Sequence, residues 1–454
     1  MQQRNNVPIK ESHNELWPKA PIDTLVDPFK RFLHIESAGG FVLLIATVTA
    51  LVLANSSLAD GYLAFWKTKV GFTLGSFTMI YSLQHWINDG LMAVFFFVVG
   101  LEVKRELVMG ELKDLRQAAL PLAAAFGGML LPACIYLLLQ HGEPGARGWG
   151  IPMATDIAFV VGILAVLGSR IPNSLRVMLL SLAIADDIGA ILVIAIGYTE
   201  SLSYISLGLA CAGIMVILAF MKLGVRNVAL YVFLMAMIWF EFHESGIHAT
   251  IAGVICGLLT PARAWFSEGM LNAVIGRTGI FLQGGGWRSA TERYQTLRLM
   301  EAASRKSISP LERFETGLHP WVGFVIMPVF ALANAGVPIQ ADAFGDPVAM
   351  AVAAGLLFGK PLGIVLFSWL VVKTGIARLP AGVGWGAVLG GGVLAGIGFT
   401  MAIFIAGLAL DGPQLDAAKV GILFGSALCA ALGAVLLMVF LAKPAAQETE
   451  NPGP

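Results

Sequence analysis

Apolar runs of about twenty residues, separated by short polar connections, recur along almost the whole chain, and that is the length a helix needs to cross a bilayer core. The pattern predicts about twelve spans, at 38–56, 85–103, 117–140, 150–168, 174–198, 203–221, 226–241, 247–262, 320–338, 347–372, 384–409 and 417–441. The cations between them fall unevenly. Every second connection is rich in them, with Lys104, Arg105, Lys113, Arg116, Arg170, Arg176, Lys222, Arg226, a series from Arg263 to Arg313, Lys373 and Arg378. The alternate connections hold Lys67, Lys69, Arg147 and Lys419. Since cytoplasmic loops carry the excess of Lys and Arg, an even number of spans with both termini in the cytoplasm is expected. The chain then divides into a polar arm (1–37), a transmembrane domain (38–442) and a short tail (443–454).

Two connections are more than minimal loops. Residues 65–81 alternate roughly between apolar and polar on either side of Gly75-Ser76, which predicts an external β-hairpin. The cytoplasmic insertion 263–318 contains two capping-box patterns, Ser289-Ala-Thr-Glu292 and Ser309-Pro310-Leu-Glu312, with Gly284–Gly286 dividing it.

Composition supports the same class. The 454 residues are 57% hydrophobic and 13% charged, so the fold expected is an all-α polytopic membrane protein with a small external β-hairpin. The arm 1–37 lacks the apolar core and cleavage site of a secretory signal, and it reads as mature. A formal net charge of zero argues against a nucleic-acid partner. Cys134, Cys211, Cys256 and Cys429 lie far apart in apolar segments, which suits core filling better than a disulfide framework or a zinc site.

Against that background the ionisable residues inside the spans stand out. Asp186 and Asp187 are adjacent in the middle of 174–198, where each ionised group costs about 2.5–3.5 kcal/mol on insertion scales. Neighbours on a helix point about 100° apart, so the two carboxylates serve different partners. A carboxylate can hold a hard cation such as sodium or a proton, and competition for one site becomes exchange. Lys360, deep in 347–372, needs an acid, and Asp186 is the partner expected for it. Gly148, Gly150 and Pro152 precede Thr155-Asp156 and interrupt one span; Gly390, Gly391, Gly392, Gly396 and Gly398 are expected to interrupt a later one. Asp89 is a further intramembrane acid. Glu102, Arg105 and Glu106 share a helix face at a cytoplasmic end, and Glu315 and His319 are spaced i, i+4 on the same side of the membrane.

The stretches Ile87-Asn-Asp-Gly, Gly100-Leu-Glu-Val-Lys-Arg-Glu-Leu107, Ala154-Thr-Asp-Ile-Ala-Phe159, Leu182-Ala-Ile-Ala-Asp-Asp-Ile-Gly-Ala190, Glu244-Ser-Gly-Ile-His248, Phe330-Ala-Leu-Ala-Asn334, Gly359-Lys-Pro-Leu-Gly363 and Gly396-Ile-Gly-Phe-Thr-Met401 resemble the NhaA-type sodium/proton antiporters over almost the whole chain. The resemblance implies inverted-topology repeats with two discontinuous crossing helices, and electrogenic exchange of external protons for internal sodium or lithium in a bacterial inner membrane, with no cofactor. It implies that Asp187 is the principal cation and proton carboxylate, that Asp186 exchanges Lys360 as partner, and that Thr155 is an oxygen ligand. Asp156 and Lys360 would offset the dipole ends of the broken helices. Glu102, Arg105, Glu106, Glu315 and His319 would set the pH response, and the hairpin 65–81 would pair two subunits. The long arm and the expanded 263–308 segment depart from the family pattern. An intramembrane aspartyl protease lacks its Gly-x-Gly-Asp arrangement here; a sodium-coupled solute symporter is the closer alternative, with Lys360 favouring proton exchange.

Overall fold

The computed structural model describes residues 36–75, 77–199, 202–225, 227–264, 268–283, 290–339 and 344–441. Gly284–Gly286, Ser289, the C-terminal tail and almost all of the N-terminal arm lie outside these residues. The chain is mostly helical. Among the described residues, eight helices are long and apolar enough to cross a membrane, and ten if each of two bent pairs counts as one span.

The first bent pair is α1 (Glu36–Ala54) and α2 (Ala59–Lys67), turned by 114°. Strands β1 (Lys69–Leu74) and β2 (Phe77–Ser82) then pair antiparallel in the register Lys69↔Ser82 to Leu74↔Phe77. The hairpin is where the alternation puts it, but it starts later, because Phe65–Lys67 complete α2. Gly75 has φ +63°, a value that favours glycine, at the turn.

The long helices follow: α3 (Leu83–Met109), α4 (Leu115–Leu139), α5 (Ile157–Leu167), α6 (Asn173–Gly197) and α7 (Tyr204–Leu223). Two expected spans are short helices, α8 (Val228–Glu244, 17 residues) and α9 (Thr250–Leu259, 10 residues). Helices α10 (Glu268–Gln283) and α11 (Ala290–Ser307) fill the insertion. Ser309 and Glu312 form the expected capping box at the start of α12 (Pro310–Asn334). The chain ends with α13 (Pro347–Lys373), the second bent pair α14 (Trp385–Ala395) and α15 (Phe399–Ala409), bent by 48°, and α16 (Gly412–Phe440).

Large apolar side chains point away from the bundle, including Val166 and Ile196, each 82% exposed, as a lipid-facing surface requires. Inside, small residues bring backbones together. A Cβ on Gly127 would come within 2.3 Å of the Gly363 carbonyl oxygen, so α4 and α13 cross at a distance only glycine allows. That crossing seats Lys360 against α4.

Candidate functional site

The two interrupted spans meet at their breaks. In the first, Pro144–Met153 winds as a tight 3-10 helix and Ala154–Asp156 leave the helical path before α5 begins, with Asp156 as its N-cap. Tyrosines serve the backbone groups this exposes. Tyr136 donates to the Gly145 carbonyl at 2.7 Å, and the Tyr198 hydroxyl accepts from Gly150 N at 3.1 Å. In the second, the break is confined to Gly396–Gly398. Gly390, Gly391 and Gly392 lie inside α14, contrary to the expectation that they interrupt it. Their lack of a side chain serves packing: a Cβ would meet Leu437, Leu179 and Pro361 respectively.

The breaks are joined directly. Asp156 N donates to the Ile397 carbonyl at 2.7 Å, and Thr155 Oγ1 lies 2.9 Å from the Ala395 carbonyl, which closes α14. The Asp156 carboxylate caps two helices at once. Its Oδ1 accepts from Ala158 N at 3.1 Å at the start of α5. Its Oδ2 accepts from Thr400 N at 3.0 Å, and from the Thr400 hydroxyl, at the start of α15. One negative charge therefore faces two positive helix ends.

Asp186 and Asp187 project from the middle of α6 beside this junction, and both are buried. Lys360 Nζ donates to Asp186 Oδ2 at 2.6 Å and to the Met153 carbonyl, where the 3-10 segment ends. The lysine is 0% exposed and the aspartate 1%. Thr155 Oγ1 is 2.6 Å from the same Oδ2. Asp186 Oδ1 is buried with no hydrogen-bond partner. Among the described residues, the Asp187 carboxylate makes no hydrogen bond or ion pair. Two buried carboxylate groups with free oxygens beside a hydroxyl and backbone carbonyls form a hard oxygen donor set, suited to an alkali cation and open to protons.

Other expected residues separate into two places. Arg105 pairs with Glu315, linking α3 to α12. Glu106 Oε2 accepts from Glu111 N at 3.0 Å and caps the turn after α3. Glu102 lies on the same face of α3, and His319 is exposed without an ion pair to Glu315 among the described residues. Asp89, by contrast, stands at the opposite end of α3, about 20 Å away at 1.5 Å per residue. It is ringed by His85, His243 and His248. Thr400 and His248 stand in the sequence motifs without an assigned role, and for His85 and Asp89 the i, i+4 spacing is the available signal.

A multi-pass helical bundle with buried carboxylates and a lysine at two broken helices defines an ion-handling membrane protein. The family profile described as Na+/H+ antiporter 1 matches residues 30–437, and the chain belongs to this family of transporters, which are not enzymes. It is 55% identical over 430 residues to the Na(+)/H(+) antiporter NhaA of Rhodopirellula baltica, covering 95% of this chain and 98% of that protein. Over 428 residues it is 50% identical to the Na(+)/H(+) antiporter NhaA 2 of Acidiphilium cryptum, covering 94% and 95%. With the Na(+)/H(+) antiporter NhaA of Rhizobium meliloti it shares 50% over 420 residues, covering 92% and 96%.

Proposed function

We propose that the chain is an electrogenic exchanger that exports sodium or lithium and admits protons across a bacterial inner membrane, with Asp187 and Asp186 as the cation and proton carboxylates. The observation that carries this is the free oxygen on buried Asp186 together with the unpartnered Asp187 carboxylate beside it. A cation entering between them draws Asp186 away from Lys360. A buried ammonium that has lost its counter-charge sheds its proton, so release at Lys360 adds to release at Asp187. More than one proton per cation moves net charge, which makes the exchange electrogenic. Thr155 supplies a neutral oxygen ligand, and Asp156 and Lys360 balance the helix ends that border the site.

The wider reading treats α4 to α6 and α13 to α16 as inverted repeats within a twelve-helix plan with cytoplasmic termini, supported by the paired breaks and the uneven loop cations. Glu102, Arg105, Glu106, Glu315 and His319 would govern the pH response at the cytoplasmic end. The hairpin would join two subunits, supported by exposed Val70 and Ile80. The test is purified protein in liposomes with an internal pH dye, challenged with sodium, lithium and potassium in turn. Sodium- or lithium-driven dequenching that a membrane potential accelerates or slows supports electrogenic exchange. No response at any pH would overturn the reading, and sodium uptake that requires an added organic solute would favour a symporter.

A further inference from the structure

The ring of histidines around Asp89 belongs to neither group described above. His85 and Asp89 are one turn apart at the start of α3, and His243 lies in the last turn of α8. His85 Nε2 is 3.5 Å from Asp89 Oδ2, and His243 Nδ1 is 3.3 Å from the same oxygen. One ligand atom from each of the three residues lies within 4.8 Å of the others. A tetrahedral zinc ion with bonds of about 2.0–2.1 Å separates its ligand atoms by about 3.3 Å. Two edges of that tetrahedron are thus already near the required length, and the third, between the two imidazole nitrogens, is no longer than 4.8 Å.

The surroundings resemble a supporting shell. His243 Nε2 is 3.2 Å from the Tyr81 hydroxyl, a hydrogen bond that commits this nitrogen and leaves Nδ1 for coordination. Tyr81 stacks on His85 with ring centroids 4.5 Å apart, and Trp239 stacks on His243 at 5.9 Å while its indole N–H donates to the Asp89 carbonyl. On the far side, His248 Nε2 is 3.9 Å from Asp89 Oδ1, and its Nδ1 is 2.8 Å from Thr250 Oγ1. His85 Nε2 itself is shut off from solvent and has no hydrogen-bond partner. A structural imidazole–carboxylate contact would be expected to hydrogen-bond it. The rest of the His85 side chain is 38% exposed, so the cluster lies near the protein surface.

We propose that His85, Asp89 and His243 bind a borderline divalent transition cation, zinc foremost, with a water molecule or His248 completing the coordination. Two imidazoles and one carboxylate select zinc over sodium, magnesium or calcium, which prefer oxygen alone. The site is therefore chemically distinct from the aspartate pair on α6, and the inference does not depend on the exchange reading. Bound metal ties the start of α3 to the end of α8 and, through Tyr81, to β2 of the hairpin.

The test uses full-length protein in detergent, freed of any affinity tag and stripped with a chelator, then titrated with zinc chloride at neutral pH. Calorimetry and elemental mass spectrometry are expected to find about one zinc per chain, with a zinc-dependent rise in melting temperature. Cobalt should give the visible absorption of a tetrahedral site. His85→Ala and His243→Gln should each weaken zinc binding on the order of 100-fold, and Tyr81→Phe, which leaves every ligand in place, by about tenfold. Melting curves without metal identify any variant that fails to fold, and Tyr81→Phe then carries the test. A wild-type protein that retains no zinc, or variants that bind it as the wild type does, would overturn the proposal. So would magnesium displacing zinc at comparable concentration.

Discussion

Two cation–carboxylate pairs in this molecule use the same chemistry in opposite surroundings. Lys360 and Asp186 meet where neither side chain is more than 1% exposed, whereas Arg105 and Glu315 meet with the arginine 42% exposed. At this pair the arginine is open to water and salt while Glu315 is 12% exposed, so screening offsets much of the attraction and leaves about 1 kcal/mol. At the buried pair both ions have lost their hydration, and removing one partner strands the other at about 3–5 kcal/mol. A pair that is costly to break is also one that a competing cation can put to use. The Arg105–Glu315 pair can drift with pH or salt and leave the fold intact.

The largest effect is expected at Asp187, whose carboxylate has no hydrogen-bond or ion-pair partner to lose among the described residues. Asp187→Asn should abolish cation-driven proton release in liposomes while membrane insertion and melting stay near wild type. Retained sodium dependence would mean that the buried pair alone does the exchange. Next, Asp186→Asn and Lys360→Gln should each lower stability by about 3–5 kcal/mol, and the double variant should recover part of the loss. Purely additive melting shifts would argue that the contact contributes nothing. A third effect lies at the helix junction: Asp156→Ala leaves Thr400 N and Ala158 N without their acceptor, at about 1–3 kcal/mol for each buried donor. Thermal melting reads it directly, and a shift no larger than that of an ordinary surface substitution would discount the shared cap.

The smallest effect on stability belongs to Glu315→Gln, expected within about 1 kcal/mol. Its signature is in the pH profile. Removing the Glu315 carboxylate frees Arg105 and makes the potential at this end of α3 less negative. Both changes favour proton release, so activation should move to lower pH with maximal activity preserved. Dye measurements on both proteins over one pH series decide it. An unchanged profile returns the cluster to an ordinary solvated helix end.

What the sequence disclosed follows from how local the cause is. Asp186 and Lys360 could be paired on paper because a buried lysine has few possible acids, and Ser309-Pro310-Leu-Glu312 could be read as a cap because its bonds stay within one turn. Gly390–Gly392 misled because a glycine that breaks a helix and one that lets Leu437 pack look alike until the neighbour is known. Asp89 stands alone in the sequence because its companions come partly from α8, more than 150 residues further along the chain. Thr400 was invisible for the same reason, since its partner lies 244 residues away.

That separation has a consequence for synthesis. The hydrogen bond from Thr155 to the Ala395 carbonyl joins residues 240 apart, so the first break cannot be completed until the second has left the ribosome. At about 5–20 residues per second the interval is on the order of 10–50 s. Throughout it, Thr155 and Asp156 wait near or within the bilayer without their distant partners. The nascent chain therefore has to be held, by the insertion machinery or by neighbouring helices, in a form that still lets the second break reach the first.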